Sequence, residues 1–480
     1  MLPEDTLLEI FDFYRLDAMV TFVRRPWKWH RLAHVCRKWR HVLSLSPRRL
    51  DLQVLCKYGA PIESILGSWP TLPLVVRHTG IGFWSKHESL PDNVILSLRR
   101  PHRLCEIDVV LPRSLIEPIV EAIQEPLQRI ECIRVTIEDG TGPPMLVREA
   151  FLGGSAPHLR EIKLDGISFC FPTIRQVLLS TSNLVELHLA NIPDDFYISP
   201  DELVTGLSTL VQLKRLTVGF HSPAPLPSSS MTRLFERITL PSLASLNFRG
   251  ESEYLEEFVD RIDLPALGTI IIELFNDTLF DIPRFCQFIP YLNSILPPTS
   301  VTMIHSGRSV SVSFSPSRKS AYATEYDYVF VTSCGQVDWQ LSFATQILSQ
   351  LSLLLSSVQE LTIESGDGFP TGEEDVDSTQ WLELFRLFTH VKWVNIKKSE
   401  FTSGVVRTLV SEDMTTEVLP ELTSLFLQGY HKVSYYSTPK FFLQGYHKVS
   451  YYSNPQSVAI AAEQFVATRR LSGLTIDLSG

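Results

Sequence analysis

Two segments of the sequence contain residue types that could bind a metal ion. His30 and His34 lie four positions apart, which would place both imidazoles on one face of a helix. Residues 366–377, GDGFPTGEEDVD, hold several carboxylates among glycines. The histidine pair has no evident third ligand nearby, and the acidic segment lacks the ligand order of a calcium loop. We therefore predict a surface histidine pair, an acidic loop, no metal and no cofactor.

The sequence also lacks the short motifs of the common enzyme classes. It contains no phosphate-binding loop, no GxSxG elbow and no HExxH pair. Its seven cysteines form no CxxC pair, which predicts buried thiols in a reducing compartment. The opening MLPEDTLLEI is acidic where a signal peptide is basic, and no apolar run of roughly 18 residues is present. We expect a non-enzymatic protein of the cytoplasm, the nucleus or both, with no membrane partner.

Charge is distributed unevenly along the 480 residues. Residues 18–50 contain nine lysines and arginines and no acid, so the formal charge of −10 combines +9 in this block with −19 elsewhere. Such a block could bind nucleic acid or an acidic protein. The acidic remainder would repel a duplex, and no DNA-reading motif is present. We therefore expect an acidic protein partner and no nucleic acid.

Two helices are predicted in the N-terminal region. Residues 3–14 begin with Pro3 and two acids, which favour the start of a helix. The second helix lies in WKWHRLAHVCRKWRHVLSLSP, whose apolar stripe of helical period comprises Leu32, Val35, Cys36, Trp39, Val42 and Leu43. Helices of this size bury little surface alone. They either cap the larger body or bind a partner protein by the helix-in-groove mode.

The residues of these two helices resemble an F-box of the kind found in large basidiomycete families. The matching pattern is Leu2-Pro3-Glu4-x-x-Leu7-x-x-Ile10-Phe11, then Trp29-x-x-Leu32-x-x-Val35-Cys36-Arg37-x-Trp39-Arg40, ending in Ser46-Pro47-Arg48-Arg49-Leu50. The resemblance implies docking onto the Skp-type adaptor of cullin–RING ubiquitin ligases, and through that adaptor onto a cullin. It implies that the residues facing the adaptor, or ordering that surface, are Leu2, Pro3, Leu7, Ile10, Phe11, Val35, Cys36 and Trp39.

A repeat occupies most of the remaining chain. The pattern apolar-x-x-apolar-x-apolar starts at residues 104, 130, 159, 184, 213, 243 and 267, and again at 358, 391, 422 and 471. This period is typical of leucine-rich repeats, in which each strand is followed by a helix. We therefore predict an α/β fold, with a parallel strand ladder and outer helices. A doubly wound α/β domain is the alternative. Two cryptic repeats are expected between 268 and 357, at residues 309–314 and 326–331.

These patterns divide the chain into three parts. We predict an F-box domain at residues 1–55, a linker or capping segment at 56–100 and a leucine-rich-repeat domain at 101–480. Irregular leucine-rich repeats commonly follow an F-box, so the two resemblances support each other.

Side chains alternate across a strand, so the residues beside the last two apolar positions should face away from the core. Some of them would bind a target protein, while others only solvate the sheet. The candidates for target binding are Glu161, Lys163, Glu186, His188, Arg215, Asn247, Arg249, Trp393 and Asn395. Trp393 is expected to be exposed among polar neighbours.

An exact tandem duplication interrupts the last repeats. FLQGYHKVSYYS at residues 426–437 recurs 16 residues later at 442–453. Without those 16 residues the final step of 49 becomes 33, within the range of the array. We predict that one copy bulges out as an insertion.

Three functional hypotheses follow. The first is a non-catalytic substrate receptor of an SCF-type ubiquitin ligase, whose repeats hold an unknown target protein. The second is a leucine-rich-repeat scaffold with a degenerate F-box. The third, an α/β enzyme, would need a pocket with convergent titratable groups.

Overall fold

The structure is a computed structural model, and the chain divides into two compact units, Met1–His221 and Ser222–Gly480. We call them unit 1 and unit 2 and describe each by itself. The residues that the structure describes are 2–17, 30–46, 53–56, 66–67, 72–78, 92–138, 145–147, 151–169, 171–223, 237–275, 282–289, 297–307, 309–316, 328–333, 337–365, 378–397, 405, 408 and 418–428.

Unit 1 begins with three helices, α1 (Glu4–Asp17), α2 (His30–Ala33) and α3 (Arg37–Leu45). The prediction of one continuous second helix was wrong, because the chain breaks at residues 34–36. Two short-range hydrogen bonds, from His34 N to Arg31 O (3.2 Å) and from Val35 N to Leu32 O (3.3 Å), end α2. The Arg40 guanidinium donates to Ala33 O at 3.1 Å. Cys36 is extended and starts α3.

The remaining elements of unit 1 alternate between strands and helices. The strands are β1 (Val54–Cys56), β2 (Leu74–His78), β3 (Leu104–Leu111), β4 (Cys132–Ile137), β5 (Met145–Val147), β6 (Glu161–Asp165), β7 (Ile167–Phe169), β8 (Glu186–Ile192) and β9 (Arg215–Phe220). The helices are α4 (Asp92–Leu98), α5 (Arg113–Ala122), α6 (Phe171–Ser180) and α7 (Pro200–Leu207), with 3₁₀ turns at Pro101–Arg103, Phe151–Gly154 and Asp194–Phe196.

The main sheet of unit 1 is parallel throughout. Its strands follow the order β1-β2-β3-β4-β6-β8-β9, and β5 pairs with β7 separately. The order rises steadily along the chain, whereas a doubly wound domain reverses direction within its sheet. One backbone hydrogen bond recurs before the strands, from Arg160 N to Glu131 O, Val185 N to Arg160 O and Lys214 N to Val185 O, each at 2.8 Å. The described part of unit 1 is therefore a repeat array, as predicted.

The apolar positions of the repeat form the core of unit 1. In β3, β4 and β6 buried and half-buried residues alternate, and the pattern residues such as Ile107, Ile133 and Ile162 are fully buried. Ile116, Ile119 and Ile174 are buried from the helices. The opposite side of each strand therefore remains available for polar side chains.

Unit 2 contains a second set of strands and helices. The strands are β10 (Ile238–Thr239), β11 (Ser245–Gly250), β12 (Ile262–Asp263), β13 (Thr269–Phe275), β14 (Ser300–His305), β15 (Ser309–Ser315), β16 (Tyr328–Ser333), β17 (Glu360–Ser365), β18 (Trp393–Lys397) and β19 (Ser424–Gln428). The helices are α8 (Ser252–Val259), α9 (Pro283–Phe288), α10 (Val337–Gln350), α11 (Ser352–Leu355) and α12 (Ser378–Arg386). Within this unit the main sheet has the order β11-β13-β16-β15-β14-β17-β18-β19.

The prediction of two cryptic parallel repeats in unit 2 was wrong in direction and number. Strands do occupy residues 309–314 and most of 326–331, but a third strand, β14, precedes them, and β15 runs antiparallel to both neighbours. A tight connection explains the reversal. Ser306 N donates to Ser309 O at 2.8 Å, and Ser309 N donates to Ser306 Oγ at 3.1 Å, which joins β14 to β15 as a hairpin. Parallel pairing needs a longer crossover.

Some predictions fall outside the described residues. These are the bulged copy of the tandem duplication, the final repeat at 471–476 and the acidic loop at 366–377. Across the described ranges, no helix is long and apolar enough to span a membrane.

Candidate protein-binding surfaces

The outward side of the strands in unit 1 is lined with charged side chains, as predicted. Register places them in two rows that cross the sheet. The first row is Glu106, Cys132, Glu161, Glu186 and Arg215, and the second is Arg77, Asp108, Arg134, Lys163 and His188. We call these ten residues the polar face.

Five charges of the polar face form one ion-pair network. Arg77 Nε lies 3.1 Å from Glu106 Oε1 and 3.6 Å from Asp108 Oδ2. Arg134 Nη1 lies 3.1 Å from Asp108 Oδ2, and the Arg134 guanidinium also pairs with Glu161. The carboxylate side chains are only 14–19% exposed. Within this part of the face, each arginine is therefore neutralised by the chain itself.

The network holds Arg134 firmly in its charged form. Burial lowers the pKa of Arg134, but the hydrogen bonds from its guanidinium to Glu161 and the nearby carboxylates outweigh burial and raise the pKa above its usual value. The pKa of the neighbouring Cys132 thiol is also raised, first by burial and second by the Glu161 carboxylate. Cys132 is therefore an inert thiol at neutral pH.

The second half of the polar face is less completely paired. Arg215 Nε donates to Glu186 Oε2 at 2.8 Å, but Arg215 is 56% exposed. Lys163 forms no ion pair with a described residue. His188 stands beside Lys163 in register, and its pKa is lowered by burial first and by the Lys163 charge second.

The predicted target-binding residues of unit 2 lie on a different kind of surface. Arg249 Nε pairs with Glu273 at 3.3 Å, and its guanidinium lies 5.4 Å from the centre of the Phe275 ring. Asn247 is half-buried on the same strand as Arg249, and on β18 both Asn395 and Trp393 are half-buried, so the expectation of an exposed tryptophan was wrong.

Sequence reasoning missed an apolar area of unit 2. Ile271, Ile304, Val329 and Val331 are half-buried on the outward side of β13, β14 and β16. The only sequence indication was the presence of β-branched residues at strand positions where unit 1 has charges.

In the N-terminal helices, the adaptor-facing residues that the F-box resemblance implies fall into a buried group and an exposed group. Leu7 and Phe11 are each 1% exposed, and the Phe11 ring meets the half-buried Trp39 ring edge-on at 5.0 Å. These three residues hold α1 against α3. The exposed group consists of Leu2, Pro3, Ile10, Val35 and Cys36.

One exposed residue was missed by the resemblance. Phe13 is 74% exposed, and it lies 3 positions after the exposed Ile10 on α1, while the exposed Leu2 directly precedes the helix on the same side. We call Leu2, Ile10 and Phe13 the N-terminal apolar stripe. Lys38 Nζ donates to Leu2 O at 2.6 Å and fixes the start of α1 against α3. Arg31, Arg37 and Arg40 are exposed nearby in the chain.

Two titratable groups outside these surfaces, within the described ranges, have pKa values shifted by burial. His305 is fully buried in unit 2, and its Nδ1 lies 3.2 Å from Gln340 Oε1. Burial lowers its pKa to about 4, which the Gln340 hydrogen bond opposes. Burial likewise raises the pKa of Cys56 to about 11. In the part of the chain that the structure describes, no three His, Cys, Asp or Glu residues are placed to hold a metal ion.

A groove of about 530 Å³ lies among α8, α9 and β12 in unit 2. Its charged residues pair with one another, Arg237 with Asp263 at 3.2 Å and Arg284 with Asp260 at 3.4 Å. Val259, Leu264 and Phe288 provide its apolar lining.

Comparison with known proteins yields matches among solved structures. No protein-family model and no curated protein matches the chain. One of the matching solved structures is the leucine-rich repeat-containing protein LegL7 from Legionella pneumophila, at 12% identity, covering 78% of this chain and 90% of that chain, with a TM-score of 0.25. The register of the strands described above assigns the fold by itself. It is an α/β fold of leucine-rich-repeat type, with a parallel sheet and interleaved helices, interrupted in unit 2 by one antiparallel strand.

Proposed function

We propose that the protein is a non-catalytic substrate receptor of an SCF-type ubiquitin ligase in the cytoplasm or nucleus. In this proposal the N-terminal helices bind a Skp-type adaptor, and the strand faces of the repeats bind the protein to be ubiquitinated. The observation that supports it best is the N-terminal apolar stripe, which remains exposed although a hydrophobic core exists beneath it.

The energetics of the stripe favour a protein partner. Leu2 is 50% exposed, Ile10 38% and Phe13 74%. Full burial of an exposed side chain of this size contributes about 1.5–3 kcal/mol, so a partner's groove would gain most of that at Phe13 and roughly half of it or less at Leu2 and Ile10. An amphipathic helix with an apolar face is what the helix-in-groove mode requires.

The basic residues of α2 and α3 indicate that the partner is acidic. Arg31, Arg37 and Arg40 are exposed, and residues 18–50 contain no acid. A partner with an acidic rim around an apolar groove would complement both features. In this proposal, that partner is the adaptor that the F-box resemblance implies.

The polar face of unit 1 supports a role in holding a target. Its arginines are already fixed by ion pairs, so little side-chain entropy is lost when another protein docks on them. Parallel strands also hold the side chains at fixed spacing on a rigid element.

Co-purification of the full chain with a Skp-type adaptor tests the proposal. The variant should combine Ile10→Ser with Phe13→Ser, because both residues are exposed and their loss spares the packing of Leu7 and Phe11. We expect adaptor binding to fall at least tenfold. Leu353→Ser, which alters another exposed leucine (73%) in unit 2, is the matched control and should bind normally. Equal binding by all three proteins would contradict docking through the stripe.

A second candidate is a binding scaffold outside any ligase. It requires only the leucine-rich-repeat array, which is the part of the chain whose fold the strand register assigns. A cullin probe in the same experiment separates the two candidates, since a receptor brings the cullin down with the adaptor and a scaffold brings down neither.

A further inference from the structure

Lys163 differs from the arginines of the polar face. Arg77, Arg134 and Arg215 each pair with a carboxylate of a neighbouring strand. Lys163 is half-buried at the centre of the same face, and its ammonium forms no ion pair with a described residue. Among the described residues, the Lys163 ammonium is therefore a cation of the polar face that a docked acidic group could pair with.

The neighbour of Lys163 also lacks a partner. His188 is the register partner of Lys163 on β8, so both side chains leave the same side of two strands about 4.8 Å apart. His188 Nε2 is buried and has no hydrogen-bond partner among the described residues. A buried lone pair costs less than a buried N–H, so the neutral ring should hold its proton on Nδ1.

The surrounding carboxylates are already engaged. Glu161 pairs with Arg134, and Glu186 accepts from Arg215 at 2.8 Å. Asp165 accepts a hydrogen bond of 2.6 Å from Asn191 Nδ2. None of these carboxylates forms an ion pair with Lys163 among the described contacts, so the Lys163 ammonium remains available to a docked group.

We infer that Lys163 and His188 together bind one acidic side chain of a protein segment that docks on the polar face. The Lys163 ammonium and the His188 Nδ1–H would each donate to one oxygen of the carboxylate. Arg134 does not compete for that carboxylate, since three acids already surround it. The inference rests on the proposed function only in that a protein binds this face, and it does not involve the adaptor.

Selection from a random dodecapeptide library displayed on phage tests the inference with the full chain. We expect peptides retained by the natural protein to share an Asp or Glu at one position. Lys163→Glu should reverse the preference at that position to Lys or Arg. Lys214→Glu removes an exposed lysine just before β9 and is the control, which should leave the preference unchanged.

The affinity of one selected peptide for each variant then measures how much Lys163 and His188 contribute to binding. Lys163→Met should weaken its binding about tenfold or more, the usual effect of losing a hydrogen bond to a charged group. His188→Phe, which keeps a ring of similar size, should also weaken it. Replacing the acid of the peptide by its amide should make both substitutions nearly neutral, because the contact they remove is then absent.

Three results would overturn the inference. They are an unchanged acidic preference in Lys163→Glu, selection of basic instead of acidic peptides by the natural protein, and the absence of any selected peptide. Adaptor co-purification is measured separately through the N-terminal apolar stripe, so failure here leaves that proposal standing and the reverse also holds.

Discussion

Removal of Arg134 should destabilise the protein more than removal of any other charge on the polar face. The Arg134 side chain is 30% exposed, and it contacts Asp108 at 3.1 Å, Glu106 at 3.7 Å and also Glu161. Arg134→Met keeps most of the aliphatic stem but leaves these half-buried carboxylates facing one another. Arg77 still pairs with two of them, while Glu161 has no other ion pair among the described contacts.

The loss of folding free energy expected for Arg134→Met lies between two known limits. Exposed ion pairs contribute about 0–1 kcal/mol, and breaking a buried pair costs about 3–5 kcal/mol. For side chains that are 14–30% exposed we expect a loss of about 2 kcal/mol. Arg215→Met provides the matched control, because Arg215 is 56% exposed and pairs with Glu186 alone. It should cost about 0.5 kcal/mol.

Urea unfolding of the two variants at neutral pH measures the difference. A further variant, Arg134→Met with Glu161→Gln, should recover part of the loss because it removes one of the stranded charges. Equal stability of Arg134→Met and Arg215→Met would refute the reasoning. Failure of Glu161→Gln to recover any stability would show that the stranded Glu161 charge is not the cause of the loss.

Three more predictions concern other residues. Phe11→Ala should destabilise the N-terminal helices by about 3–4 kcal/mol because it empties the contact with Trp39, whereas Phe13→Ala should cost little, as followed by tryptophan fluorescence and by proteolysis. His305 has a folded pKa of about 4, below the unfolded value of 6.5, so its stabilising contribution is complete above pH 6.5 and is lost as the pH falls towards 4. Stability measured from pH 7 to 4 should therefore fall less steeply in His305→Gln, and parallel curves would contradict this assignment. Cys36 is exposed while Cys56 and Cys105 are buried, so brief labelling of the native protein by a thiol reagent should modify Cys36 and spare the other two, as read by peptide mass spectrometry.

The strands of the repeat could be predicted because burial imposes a period of two. Leu187 and Leu189, or Leu246 and Phe248, must enter the core if the strand forms at all, and their neighbours must then face outward. The same rule explains the wrong direction assigned to β15. SVSVSFS alternates identically in either direction, so only the serine-bonded hairpin at Ser306 and Ser309 decided that the strand is antiparallel.

For the ion pairs too, the sequence determined one part of the arrangement and the tertiary structure decided the other. The sequence determined that Arg134 and Lys163 face outward, because each sits between two core residues of a strand, and Glu161 lies two positions before Lys163 on the same side. The ionic partners of Arg134 are 26 or more positions away, and register between strands alone sets which charges meet. Among the described residues Lys163 has no ion pair, and its register neighbours are Arg134 and His188 instead of an acid.

The N-terminal helices illustrate the limit of a hydrophobic pattern. Composition and spacing by themselves determined an apolar, basic helical segment ahead of a repeat array. They did not determine that Leu7 and Phe11 are core residues while Ile10 and Phe13 face solvent, because all four are apolar at adjacent turns of α1. The break at residues 34–36 and the packing of Trp39 on Phe11 made that choice, because a helix buries whichever side its neighbour covers.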